Sequence, residues 1–162
     1  MRYLALALLL IAAAGTVPDA ALGQGYGGGG GGGEGPGGGA IPSPAAAGDL
    51  RAQLRTALTH AANAAASEVL RAAQSHLTHV VNCLEGQRGR NYVQTELNPC
   101  QGQGNGILVD LRAVRDGGAW MPVAETAADL ALRGSKMGDL AAARAAARGV
   151  AALLGTINDH VR

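Results

Sequence analysis

Two histidines, His76 and His79, are the residues of this sequence whose type and spacing could do chemistry. Side chains three residues apart adjoin on a helix, so two imidazoles at this spacing can bind one metal ion. Zinc or copper would need one or two further ligands, and His60 is the first candidate. The alternative is an ordinary helix whose polar face carries the histidines into solvent. Other side chains that could complete a metal site are His160, Glu85 and Asp110.

The two cysteines, Cys83 and Cys100, determine what could cover the histidines. Their spacing is not that of a C-x-x-C redox motif, so we expect a structural disulfide. At about 100° per residue, Cys83 lies on the helix between His76 and His79, away from the apolar side. A bond to Cys100 would draw a polar loop, residues 86–106, over this face. The alternative to metal is then a small polar ligand held under the loop, in a pocket formed by Asn82, Glu85, Asn98, Gln101, Gln103 and Asn105.

Helical periodicity runs through residues 49–162, and no strand pattern interrupts it. The core is alanine-rich and contains no phenylalanine, so each helix buries little apolar area. The sequence predicts an all-α fold, a small four-helix bundle with a disulfide-tethered polar loop. The apolar positions of the last helix are Leu140, Ala143, Ala147, Val150, Leu154 and Ile157.

Capping and breaking residues set the expected helix boundaries. Asp49 can cap the first helix, and a break that ends at Ser67 favours a hairpin of two helices over one long helix. Gly86 can end the second helix, because glycine is common just after a helix. Pro122 suits the first turn of a later helix, and Ser135 can cap the last helix.

The N-terminal part of the chain has the composition of an export signal. One basic residue, an apolar run from Leu4 to Ala14 and small residues before Gln24 predict a signal peptide at residues 1–23. The run is too short to span a membrane, and we expect no membrane span after cleavage. Residues 24–48 are rich in glycine, proline and alanine and are expected to be disordered, either as a tether or without a role. The protein should therefore be secreted or periplasmic.

Charge and motif content exclude several classes of function. The net charge is +1 and aromatic residues make up 2% of the chain, so neither a basic surface nor a stacking platform for nucleic acid is present in the sequence. No G-x-S-x-G motif and no set of nucleophile, base and acid is apparent. We therefore predict a protein that is not an enzyme, with a binding or cell-envelope-associated role. A protein partner or a homo-oligomer is compatible with this composition.

A longer pattern surrounds the histidine pair. Residues 76–86 read H-x-x-H-x-x-N-x-x-E-G, and residues 98–104 read N-P-x-x-G-x-G. Over residues 50–115 this resembles uncharacterised exported bacterial helical proteins whose loop is richer in aspartate. The corresponding region of this chain contains Cys100, Gln101 and Gln103, and this composition argues against a cation site in the loop itself. The resemblance implies a small exported helical domain and no known activity.

Overall fold

The structure is a computed structural model, and it describes residues 48–161. These residues are all-helical and contain no strand, as predicted. The predicted signal peptide, and the glycine-rich segment apart from Gly48, lie outside the described residues. The elements are α1 (Leu50–Ala66), α2 (Leu70–Glu85), α3 (Ile107–Asp110), a 3₁₀ turn (Leu111–Ala113), α4 (Gly117–Gly134) and α5 (Leu140–His160).

The first two helices form the predicted hairpin. Asp49 caps α1, since its Oδ1 accepts a hydrogen bond from the Ala52 amide at 2.8 Å. The chain leaves α1 after Ala66 and enters α2 at Leu70. The connection is therefore residues 67–69, which begins where the predicted break ends, at Ser67. Gly86 ends α2 with a φ of 66°, a conformation that glycine adopts without steric cost.

Two predicted boundaries were wrong. Pro122 does not begin a helix but lies inside α4, which starts at Gly117. The ring removes one backbone donor, and the site tolerates this because Pro122 is exposed near the start of the helix. Ser135 caps the end of α4 rather than the start of α5, where the Oδ1 of Asp139 accepts from the Ala142 amide at 2.8 Å. A carboxylate four residues further on thus replaced the predicted cap.

The long helices surround one apolar core. α1 packs against α2 and α5, and α4 packs against the same two helices. Five of the six predicted apolar positions of α5 are buried, and Leu140 is half-buried. The small side chains let the helices approach closely. The largest fully buried apolar residues are Leu54, Leu77, Leu84, Ile107, Leu111, Leu154 and Ile157.

Helix α5 is long and apolar enough to cross a membrane by length and composition alone. Its apolar face, however, packs into the core against α1 and α4. The helix also carries Arg144, whose Nε donates to the Ala65 carbonyl at 2.8 Å. These contacts are those of a core helix.

Candidate metal centre

Three histidines meet on the α1–α2 hairpin. His60 lies on α1, and His76 and His79 lie on α2. The Nδ1 of His60 is 3.1 Å from the Nδ1 of His76 and 3.2 Å from the Nδ1 of His79. His60 and His76 lie at equal sequence distance from Glu68, the middle of the connection, so an antiparallel hairpin places them opposite each other. We call these three residues the histidine cluster.

The dimensions of the histidine cluster match those of a metal site. One nitrogen from each ring lies within 4.8 Å of the others. Two nitrogens bound to one tetrahedral zinc, each at about 2.0–2.1 Å from the ion, lie roughly 3.3 Å apart. The observed separations of 3.1 and 3.2 Å are close to this value. A small outward movement of the rings would therefore suffice to accept an ion.

Protons alone satisfy the three nitrogens poorly. A neutral imidazole carries one N–H, so each Nδ1 is either a donor or an acceptor. If His60 Nδ1 donates, its single proton must serve both neighbours. If His60 Nδ1 is unprotonated and accepts, its lone pair lies opposite the lone pair of any neighbouring Nδ1 that is also unprotonated, and no hydrogen bond forms between them. A cation at the centre would use all three lone pairs at once.

A carboxylate on the far side of the ring from His60 orients His79. Its Nε2 lies 3.5 Å from the Oε2 of Glu96, a residue of the 86–106 loop. The same carboxylate oxygen accepts a hydrogen bond from the Ser75 hydroxyl at 3.2 Å. A carboxylate at this position favours the proton on Nε2, and it leaves the Nδ1 lone pair directed at the histidine cluster. Metal-binding histidines commonly have such a partner.

The environment favours the neutral form of His60 and His79. Burial is the largest cause that lowers the pKa of His60, and His79 and His76 lower it further, to about 4. Burial also lowers the pKa of His79, although the Glu96 carboxylate opposes this effect. A ring with a lowered pKa offers an unprotonated nitrogen at neutral pH, which is the form that binds metal.

The predicted disulfide is present and holds the loop beside the histidines. Cys83 lies one turn after His79 and bonds to Cys100 with a Cα–Cα distance of 5.2 Å. The ends of the loop also meet, since a Cβ on Gly86 would collide with the Asn105 carbonyl and one on Gly106 with the Gly86 amide. The loop therefore covers Asn82 and Cys83 on the polar face of α2, whereas His76 and His79 stay half-buried beside it.

The amide side chains predicted to line a ligand pocket hold the loop instead. Asn82 is fully buried, its Oδ1 accepts from the Val93 amide at 2.8 Å, and its Nδ2 donates to loop carbonyls. The Oε1 of Glu85 accepts a hydrogen bond from the Asn91 side chain, and the Oδ1 of Asn98 accepts one from the Cys100 amide. The Oε1 of Gln103 accepts from the Thr56 hydroxyl, and the Asn105 side chain donates to Asp110. Gln101 is exposed. A ligand at these residues stays a prediction.

A second polar cluster, which the sequence did not predict, lies at the base of the loop. The buried Gln53 donates from Nε2 to the Oδ2 of Asp110 at 2.7 Å and accepts from the Gly106 amide at 3.1 Å. Asp110 also accepts from the amide and the side chain of Asn105, each at 2.9 Å. We call these four residues the Gln53–Asp110 cluster. Gln53 is separated from Asp110 by 57 residues, so no local pattern could have revealed the pair.

The further ligands considered for the histidines lie elsewhere. Asp110 belongs to the Gln53–Asp110 cluster and Glu85 to the start of the loop. His160 stacks on Trp120 with ring centroids 4.6 Å apart, and its Nδ1 is 2.7 Å from the Thr156 carbonyl. Of the candidates named from the sequence, only His60 joins His76 and His79.

Comparison with known proteins identified no relative of this chain. No family model matches the chain, and neither the curated proteins nor the solved structures contain a match. The resemblance to uncharacterised exported helical proteins therefore stays a prediction.

Proposed function

We propose that this protein is a non-catalytic, exported four-helix-bundle protein that binds one transition-metal ion, zinc or copper, through His60, His76 and His79. The observation that carries the proposal is the convergence of three Nδ1 atoms from two packed helices. Imidazole nitrogen suits both metals. Ligands on packed helices are also positioned more precisely than ligands on mobile loops.

The electrostatics of the histidine cluster support the proposal. The lowered pKa values of His60 and His79 mean that little energy is needed to remove protons before a cation binds. A divalent ion would bring positive charge into a half-buried site, and the Glu96 carboxylate behind His79 would partly compensate it.

The proposed location is compatible with this chemistry. A signal peptide at residues 1–23 would deliver the chain to the periplasm or outside the cell. Such compartments permit disulfides, and the Cys83–Cys100 bond agrees with that environment. A small polar ligand under the loop has less support, because the side chains proposed to bind it, apart from Gln101, already make hydrogen bonds within the protein.

Metal titration of the purified protein tests the proposal. The full chain, prepared without a histidine tag and treated with a chelator, would be titrated with zinc and copper(II) by calorimetry. We expect one ion per chain for wild type. His76→Ala and His79→Ala each remove a ligand and should lower the affinity by at least about 100-fold, more than the loss of an outer-sphere partner.

The matched control is His160→Ala, which removes an exposed histidine outside the histidine cluster. This variant should bind metal as wild type does. Far-ultraviolet circular dichroism would verify that all variants keep their helices. Absence of binding, or equal losses in His76→Ala and His160→Ala, would refute a metal site at the histidine cluster.

A further inference from the structure

We infer that the metal ion held by His60, His76 and His79 keeps one exchangeable coordination position, which water occupies and small monodentate anions can take. The inference rests on the proposed metal binding. Structural zinc sites have four protein ligands, whereas sites with three protein ligands keep water at the fourth position. A fourth donor from the chain would exclude the exchangeable position.

Ionisable side chains do not supply the fourth donor. Among residues 48–161, the histidine, cysteine, aspartate and glutamate side chains that gather at this place are the three histidines alone. Cys83 is the next such residue along α2, but its sulfur is bonded to Cys100. A thiolate ligand is therefore absent from the described part of the chain at this site.

The nearest carboxylate is on the wrong side of the ring. Glu96 contacts the Nε2 of His79, whereas the Nδ1 of the same ring faces His60. The two nitrogens lie on opposite edges of the imidazole, so a metal on Nδ1 is separated from Glu96 by the ring. The Ser75 hydroxyl also holds this carboxylate in place. Glu96 thus acts as a partner of a ligand rather than as a ligand.

Neutral oxygen donors on the same face are already engaged. The Oδ1 of Asn82 accepts from the Val93 amide, and the Oε1 of Gln103 accepts from the Thr56 hydroxyl at 3.1 Å. Recruiting either oxygen would break a contact that holds the loop. These two oxygens are therefore committed to structure, and we assign the fourth position to a molecule from solvent.

Solvent has access to this position. All three rings are half-buried, and the His79 side chain keeps 12% of its surface exposed. A fully enclosed ion would exchange ligands only after the helices separate. Here a water or a small anion can reach the ion from the exposed side of the hairpin.

Cobalt(II) provides the test, because its visible absorption depends on the number and type of its ligands. The full-length protein would be loaded with one equivalent of cobalt and titrated with azide or thiocyanate at neutral pH. We expect a saturable spectral change with one anion per cobalt. His160→Ala should respond as wild type does.

The outcomes separate this inference from the proposed function. Cobalt uptake at one per chain with a spectrum that does not respond to either anion would overturn the open position and leave the metal site standing. An anion response that is absent in wild type and appears in Glu96→Gln would also overturn it, because Glu96 would then be the fourth ligand. Absence of cobalt, zinc and copper uptake would overturn the proposed function itself.

Discussion

Two polar clusters lie next to the 86–106 loop, and they differ in how their groups are satisfied. In the Gln53–Asp110 cluster, each carboxylate oxygen of Asp110 accepts at least one hydrogen bond, and both side-chain ends of Gln53 are used. In the histidine cluster three nitrogens converge, and neutral rings cannot provide a good hydrogen bond for each contact.

The difference supports the proposal that the histidine cluster binds a metal ion. A buried polar group left without a partner costs free energy, so a cluster that satisfies itself stabilises the fold. Gln53 and Asp110 are nearly excluded from solvent, and their hydrogen bond fastens α1 to the end of the loop. The histidine cluster is half-buried, and the Nδ1 atoms of His76 and His79 both lie close to the Nδ1 of His60, at 3.1 and 3.2 Å. The first cluster is complete without a ligand, whereas a cation would complete the second.

The strongest test of this comparison is Asp110→Ala in metal-free protein. The change leaves the buried Gln53 side chain and the partly buried Asn105 amide without their acceptor. Each such group costs about 1–3 kcal/mol, so we expect the free energy of unfolding to fall by about 2–6 kcal/mol. Urea denaturation followed by circular dichroism measures it.

The contrasting variant is His76→Ala, also without metal. It removes a half-buried ring that makes no essential hydrogen bond, and the loss should stay below about 1 kcal/mol. If His76→Ala were the more damaging of the two, the histidine cluster would be the structural one and the comparison would be reversed.

Removal of the disulfide should have the next largest effect. The double variant Cys83→Ala/Cys100→Ala releases a crosslink between residues 17 apart in sequence. The chain-entropy model gives a loss of about 3 kcal/mol for a loop of this length. Urea denaturation of wild type with and without reductant is the matched measurement. A loss that appears in the variant but not on reduction would show that packing of the two side chains, rather than the crosslink, supplies the stability.

Local patterns were enough to predict the helices and part of the site. The apolar spacing in α5 and the cap at Asp49 depend on neighbouring residues only, and both were predicted correctly. The adjacency of His76 and His79 follows from their spacing on one helix. The boundaries at Pro122 and Ser135 were wrong because several residues compete for each cap, and the winner depends on how the next helix packs.

The parts that escaped prediction depend on contacts between distant residues. His60 joins the histidine cluster because the hairpin turns at Ser67–Val69, and only that register places it opposite His76. Asn82 lies on the side of α2 away from the core, yet the folded loop buries it completely. The Gln53–Asp110 pair depends on the path of the whole loop.

Glu96→Gln should weaken metal binding without unfolding the protein. The amide keeps the shape of the side chain but loses the charge that favours a proton on Nε2 of His79. Partners of metal ligands typically contribute 10–100-fold in affinity, so we expect zinc to bind about 10–100-fold more weakly. Calorimetric titration measures this. Glu125→Gln, a change at an exposed glutamate on α4, is the control. Equal affinities for wild type and Glu96→Gln would mean that the carboxylate does not position His79.

Acid should destabilise the metal-free protein through the histidine cluster. We expect this effect to be smaller than those of the substitutions above. The pKa of His60 is about 4 in the folded protein, whereas the ordinary value of a histidine is 6.5. Between pH 4 and pH 6.5 the unfolded chain therefore binds more protons at His60 than the folded protein does. Stability is therefore full above about pH 6.5 and is lost as pH falls towards 4. The rings are partly exposed, and solvent weakens the effect. Thermal unfolding midpoints of wild type and His60→Gln between pH 7 and pH 4 measure it, because the variant lacks this titration and shares the others. Parallel pH profiles for the two proteins would contradict the lowered pKa of His60 and would remove this part of the support for metal binding.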